Sequence, residues 1–306
     1  MTALVTGASG FAGSHLVERL LLSHDAVDAW AHSELPRDPA PRVRWRAVDL
    51  IDRAAVQGAL SECRPDVIYH CAGLPHVAES GTRAGEALQV NAFGTHLLLD
   101  ATARLGFDPL VVVVSSALVY RPALEAMSEE HPIAPADPYG VSKLAQEMSA
   151  ARSTTRTIVA RPFNHAGPRQ SSAFVTSSFA RQIVEIEAGR AEPILRVGNL
   201  DARRDITDVR DTVRAYEALA AAGTVSAAYN VCCGIAYRVG DMLERLLGMA
   251  RVQVRIQQDP ARMRPSDNPV VLGDASRLRR ETGWRPDIPI DQTLRDLLDW
   301  WRARIA

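Results

Sequence analysis

The stretch "TGASGFAGSHLVERLL", residues 6–21, carries glycines at 7, 10 and 13 and runs without a break into apolar residues of helical spacing. An apolar run, "TALV" at 2–5, precedes it, so a strand feeds a glycine-rich turn that opens a helix. At such a junction Gly7 permits a tight turn, Gly10 lets the backbone approach a pyrophosphate, and Gly13 allows close helix packing, while the helix N-terminus offers free N–H groups to the anion. Three glycines in a turn can also be nothing more than a turn. Their position at the first strand–helix junction favours the dinucleotide reading and adds Ser9 and Phe11, inside the loop, to the cofactor-binding candidates.

Working outward, apolar runs that read as strands recur with helical patterns between them: "AVDAWA" (26–31), "VRWRAV" (43–48), "DVIYHCA" (66–72), "LVVVVSS" (110–116) and "TIVARP" (157–162). Strand–helix alternation of this kind builds a parallel sheet covered on both faces, a doubly wound α/β fold. Residues 1–165 carry most of it. Beyond Asn164 the pattern loosens into a helix from Phe174 to Gly189, short strands at "PILRVG" (193–198) and "AAYNVC" (227–232), and closing helices near 240–249 and 290–304. Residues 166–306 are therefore expected to form a smaller substrate-binding lobe, with some strands returning to the main sheet.

Composition excludes several classes of function. Apolar residues are 47% of the 306, charged residues 23%, and the net charge is −1, so no basic field exists for nucleic acid or an anionic membrane. The longest apolar runs fall far short of the roughly 20 residues of a membrane helix, and no basic-then-apolar leader opens the chain. The four cysteines, at 63, 71, 232 and 233, have no zinc-ligand spacing and are too few for a secreted disulfide framework. No metal is expected, and a reducing, cytoplasmic setting is.

In "DPYGVSKLAQE", 137–147, Tyr139 and Lys143 stand four apart on what reads as one helix face. A cation beside a phenol stabilises its phenolate and moves it toward acid–base use. By itself the pair is common on exposed helices. "VDL" at 48–50 ends a strand, where the Asp49 carboxylate could accept from an adenine amino group or simply cap the next helix.

With the glycine loop, "SSALVY" (115–120) and the Tyr139/Lys143 pair in this order, the chain resembles the extended short-chain dehydrogenase/reductase family, in its nucleotide-sugar-modifying branch. The resemblance extends through "DVIYHCAG" (66–73), "VNAFGT" (90–95), "RPFN" (161–164), "RRD" (203–205) and "GW" (283–284). It implies a Rossmann-type domain, a homodimer built on a four-helix bundle, and a catalytic set of Ser116, Tyr139 and Lys143: serine bonds the reacting oxygen, tyrosine transfers the proton, and lysine holds both tyrosine and nicotinamide ribose. It also implies that His32, Leu50, Ala72 and Asn91 lie against the cofactor. Residue 118, a glutamate in the family's dehydratases and a cysteine in its epimerising reductases, is Leu118 here, and Phe174 stands where the latter carry a histidine. Neither can transfer a proton.

The second half, with "RPFNHAGPRQSSAFVTSSFARQIVEIEAG" (161–189) and "MRPSDNPVVLGD" (263–274), looks like that of the GDP-4-keto-6-deoxy-D-mannose reductases. That likeness implies that Asn164, Arg204 and Arg264 grip the nucleotide diphosphate and that Asp267 takes a ribose hydroxyl. Guanidinium forks suit a diphosphate, although each arginine reads equally as a surface ion pair. Two departures stand out. Arg121 replaces the glycine usual after Tyr120, and the second strand ends in Ala31-His32-Ser33 without the acidic residue that binds a ribose 2′-hydroxyl. The second departure favours NADP(H) over NAD(H), with Arg37, Arg42 or Arg44 near enough to meet a 2′-phosphate or to be plain loop charges. Expected activity is reduction of the C4 ketone of a GDP-4-keto-6-deoxyhexose. The alternatives are an NAD-dependent 4-epimerase, suggested by the epimerase-like "CAGLPHVAES" (71–80), and a silent dinucleotide sensor, which the intact tyrosine and lysine disfavour.

Overall fold

Strand β1, Ala3–Thr6, is buried on both faces, and successive side chains serve different layers. Ala3 and Val5 pack with Leu16 and Leu20 of helix α1 (Phe11–Leu20), whereas Leu4 packs on the other side with Val56 and Leu60 of α2 (Arg53–Cys63). The computed structural model describes residues 2–32, 35, 40–74, 83–263 and 268–305. Double burial explains why β1 reads as a continuous apolar run in the sequence.

Seven parallel strands form the main sheet: β1, β2 (Val27–Ala31), β3 (Val43–Ala47), β4 (Val67–His70), β5 (Leu110–Val114), β6 (Thr157–Pro162) and, far along the chain, β10 (Ala228–Val231). Their order, β10-β6-β5-β4-β1-β2-β3, changes direction between β1 and β4, and there the glycine loop sits. At such a switch point a Rossmann-type sheet leaves a crevice for ligand. Between β4 and β5 the chain passes through α3 (Ala84–Ala87), a π-turn at Leu88–Phe93 and α4 (Gly94–Arg104). Helix α5 (Pro138–Arg152) starts cleanly because Pro138 takes the first helical position and Asp137 Oδ1 accepts from Gly140 N at 2.8 Å.

After β6 the chain leaves the main sheet through β7 (Asn164–Ala166) and continues into α6 (Val175–Glu187) and β8 (Ile194–Val197). Strand β9 (Arg203–Asp208) follows; it pairs with β7 and later with β11 (Ala236–Arg238) and β13 (Val270–Val271). Helix α7 (Val209–Ala222) returns to pack on α1, and β10, the expected strand "AAYNVC", lies beside β6. The remaining elements are α8 (Val239–Gly248), β12 (Arg255–Gln258) paired with β8, α9 (Ser276–Thr282) and α10 (Ile290–Ile305). Phe179, Ile183, Leu195, Leu243, Leu294 and Leu298 make a third core, separate from the two that sandwich the main sheet. Among the described residues no helix is long and apolar enough to cross a membrane.

Candidate active site

The crevice is built first by backbone. Gly7 has φ of +66°, and a Cβ there would lie 2.7 Å from the backbone of Ala72 at the exit of β4. At Gly13 a Cβ would meet the Gly7 carbonyl at 2.1 Å, so both positions exclude any side chain and bring α1 tight against the turn. Gly10 caps α1 without a side-chain bond and no acidic residue occupies the first turn, which leaves the helix amides open to an anion. The residues present thus fit a dinucleotide. The Phe11 ring does not open toward this space alone: it stacks on His165 of β7 at 5.5 Å between centroids.

Three expected cofactor contacts carry other duties in the fold. Asp49 accepts from Ile51 N at 3.1 Å, and the cap of α2 is Asp52, which accepts from Ala54 N and Ala55 N. The cap alternative for Asp49 is thereby corrected by three residues. Arg44 is bound through two N–H groups to Asp28 on the adjacent strand, at 3.0 and 2.6 Å, because the parallel register sets Asp28 beside it. Arg42 donates to the carbonyls of Leu21 and His24. Both arginines are engaged by the fold, while Ser33 and Arg37 lie outside the described residues. His32 remains largely exposed, 3.9 Å from Asp49. Leu50 is buried against Gly94, where a Cβ would come within 3.2 Å.

Ser116, Tyr139 and Lys143 come together. Ser116 leaves β5, accepts from Leu118 N at 3.1 Å and shares a side-chain hydrogen bond with Tyr139. Helix α5 can approach this turn because residue 140 is glycine: a Cβ would lie 2.3 Å from the Leu118 carbonyl oxygen. Lys143 Nζ lies 5.9 Å from the centre of the Tyr139 ring. The expectation that this cation pulls the phenol down does not hold. Burial pushes Tyr139 up from its ordinary value and outweighs the opposing bond to Ser116. The group is held as a phenol at neutral pH, the form that can give a proton away.

Lys143 is 4% exposed, donates to the Val114 carbonyl and Gln146 Oε1, each at 2.9 Å, and burial lowers it from 10.5 to about 8. It is also the one lysine of the chain, against 34 arginines. That count is a signal the motif reading overlooked. An arginine cannot release a proton and needs more space, so a position that keeps lysine in so arginine-rich a chain asks for the compact, titratable ammonium. Asn91, in the π-turn, accepts from Leu74 N at 2.8 Å and donates to Ser142 Oγ at 2.9 Å, pinning the β4 exit loop to α5.

On the second-lobe side, Asn164 opens β7 just after β6 and is exposed. Arg204 and Asp205 alternate on β9. Asp205 turns inward, where Cys233 N and Gly234 N each donate to it at 2.9 Å, so it latches β9 to the loop after β10. Arg204 turns outward, donates to the Arg203 and Pro269 carbonyls at 2.8 and 3.3 Å, and has no carboxylate partner among the described residues. Partial burial lowers it from its usual value. Arg264 and Asp267 lie outside the described residues.

A family model described as GDP-mannose 4,6 dehydratase matches residues 4–297. The chain belongs to that family, within the extended short-chain dehydrogenases/reductases. It is 38% identical to GDP-6-deoxy-D-mannose reductase of Pseudomonas aeruginosa, over 98% of this chain and 97% of that one. The structure is similar to that of RMD from Pseudomonas aeruginosa complexed with NADPH, with a TM-score of 0.87, 36% identity and 99% of each chain covered. A UDP-glucose 4-epimerase from Thermus thermophilus, solved with NAD, is similar at a TM-score of 0.86 and 27% identity, again over 99% of each chain. Family members of this kind are NAD(P)-dependent enzymes of nucleotide sugars, and the present protein is one.

Proposed function

We propose that the protein reduces the C4 ketone of GDP-4-keto-6-deoxy-D-mannose to a GDP-6-deoxyhexose, GDP-D-rhamnose or its C4 epimer, with NADPH in preference to NADH. The observation that carries this reading is the Tyr139 phenol, bonded to Ser116 and set beside the buried Lys143. Bound NADPH supplies the hydride. Ser116 Oγ bonds the ketone oxygen, Tyr139 gives its proton to the developing alkoxide, and the Lys143 ammonium lowers the cost of the phenolate left behind. Leu118, half-buried next to Ser116, supplies no second proton-transfer group, so the chemistry stops at hydride and proton delivery.

In this reading residues 1–165 hold the dinucleotide and 166–306 the GDP-sugar, with Arg204 and Asn164, joined by Arg264 and Asp267, on the diphosphate and ribose. NADPH preference rests on the missing acidic residue at 31–33 and on the NADPH bound by the similar structure, not on Arg42 or Arg44. Exposed Leu88, Phe93, Val141 and Met148 along the π-turn and α5 support a homodimer through these helices, whereas Leu97 and Leu98 are buried within the chain. Four free cysteines suit the cytoplasm. Incubation with freshly made GDP-4-keto-6-deoxymannose and each reduced cofactor tests the proposal: NADPH oxidation with formation of a GDP-6-deoxyhexose is expected, and GDP-mannose with NADP⁺ should yield no ketone. The epimerase reading draws on the 27% identity to a UDP-glucose 4-epimerase; interconversion of UDP-sugars without net cofactor turnover would establish it instead.

A further inference from the structure

A chain of buried hydrogen bonds leaves Lys143 and runs across α5, α4 and β4 to the strand that carries the glycine loop. Lys143 Nζ meets Gln146 Oε1 at 2.9 Å, and Gln146 Nε2 meets Thr95 Oγ1 at 3.0 Å. Thr95 Oγ1 then meets His70 Nε2 at 2.8 Å, and His70 Nδ1 meets Thr6 Oγ1 at 2.8 Å. Gln146, Thr95 and His70 are each fully buried, so water cannot rearrange the chain.

Counting protons fixes every direction in it. Thr95 has one hydroxyl proton and gives it to the Asn91 carbonyl at 2.6 Å. Toward His70 and Gln146, therefore, Thr95 can only accept. His70 must carry its proton on Nε2, and burial with the Lys143 charge nearby drives it down to about 3, so the ring is neutral and Nδ1 accepts from Thr6. Gln146 must turn its amide nitrogen to Thr95, which leaves Oε1 facing the ammonium. The amide orientation, usually a matter of assignment, is forced here by its neighbours.

We propose that Gln146 is the positioning residue of Lys143: its Oε1, aimed by Thr95 and His70, keeps the buried ammonium charged and spends one of its N–H groups. The Val114 carbonyl takes a second. Among the described residues no partner takes the third N–H, which is left for the side of Tyr139 and the cofactor ribose. This inference rests on the reading of Lys143 as part of the catalytic set and deepens it. The charged and titratable groups facing the ammonium are Tyr139 and Glu147 on α5 and His70 and Cys71 at the end of β4. None of them forms an ion pair with it among the described residues, so neutral acceptors carry the hold.

The lone lysine makes a direct test available. Protein grown on ¹³C-lysine gives one side-chain ε-carbon signal, whose pH titration reads Lys143 without reference to turnover. The wild-type midpoint should fall near 8. Gln146→Met, similar in length but without the acceptor, should move it down by about one unit or more, and Gln146→Glu should move it up, because a carboxylate favours the charged form. The high-pH limb of kcat should follow the same two shifts. A midpoint unchanged in both variants, or moved in the same direction by both, overturns the inference even if turnover falls. Midpoints that move as expected while the kcat limb stays in place support the hold of Gln146 on Lys143 and remove Lys143 from the rate-limiting step. Should Gln146→Met fail to fold, an unshifted midpoint in Gln146→Glu suffices to overturn it.

Discussion

Helix α5 buries two cationic sites one turn apart, and they are treated in opposite ways. At the first, Lys143 has, among the described residues, only the neutral acceptors Val114 O and Gln146 Oε1. At the second, Glu147 receives two N–H groups from Arg161 at 2.9 and 2.6 Å and the Ser115 hydroxyl at 2.5 Å, while Arg161 also reaches the Tyr120 hydroxyl at 2.9 Å. Burial lowers Lys143 to about 8. Burial pulls Arg161 down as well, yet the bonds and charge of Glu147 hold it above its ordinary value. Complete pairing makes the Arg161 site a fixed strut between β6, α5 and the Ser115–Tyr120 turn. Incomplete pairing leaves the Lys143 site with attraction to spare for what binds in the crevice. A buried charge becomes useful when the fold declines to neutralise it.

The largest effect that can test this contrast is on turnover. Tyr139→Phe removes the phenol proposed to protonate the alkoxide beside Lys143, and kcat should fall by about 10²–10⁴-fold, with NADPH affinity, measured by fluorescence, nearly unchanged. Near-normal turnover would dissolve the functional half of the comparison. On the structural half, Arg161→Met strands Glu147 in the core and should cost about 3–5 kcal/mol in denaturant unfolding. A loss below about 1 kcal/mol would mean that the paired site is not a strut.

A linkage measurement sharpens the difference between the two charges. Because Lys143 is at about 8 folded and 10.5 in its ordinary state, the unfolded chain binds more protons between those values, and stability gains with rising pH there. Lys143→Met lacks this term. The stability of wild type relative to Lys143→Met should therefore rise by on the order of 2–3 kcal/mol between pH 7 and pH 10, by unfolding at each pH. A flat difference would place the lysine in an environment far more solvated than the one described. The smallest effect concerns Arg204, a half-buried cation without a carboxylate partner among the described residues. If it awaits a diphosphate, GDP should raise the melting temperature, and Arg204→Met should remove most of that rise while leaving protection by NADPH intact. Equal protection of both proteins by GDP would assign Arg204 to the scaffold.

Much of this was legible in the chain. Five of the six strands that open the main sheet, β1, β2, β4, β5 and β6, stood out because they are buried on both faces, whereas the edge strand β3 alternates Arg44 and Arg46 with Val43 and Trp45. The glycines at 7 and 13 were readable because no other residue fits where the backbone passes. Ser116, Tyr139 and Lys143 were readable through their family motifs. The π-turn at 88–93, which holds Asn91 against the β4 exit, was not, since its residues have helical propensities like those of their neighbours.

Sequence by itself determined the alternation of strand and helix, the glycine cradle and the shared face of Tyr139 and Lys143, because these depend on periodicity and on residues fewer than five positions apart. Tertiary structure alone decided which charges are spent and which are kept. Arg44 was as free as Arg204 on paper, until strand register gave it Asp28 and left Arg204 with carbonyls. Lys143 was expected to pull Tyr139 down, and burial, a property of the whole crevice, pushed the phenol up instead. His70, Thr95 and Gln146 read as unrelated polar residues, yet donor counting across elements up to 76 positions apart turns them into one directed chain ending on the ammonium. Desolvation and hydrogen-bond partners are set by neighbours in space, and no local pattern encodes them.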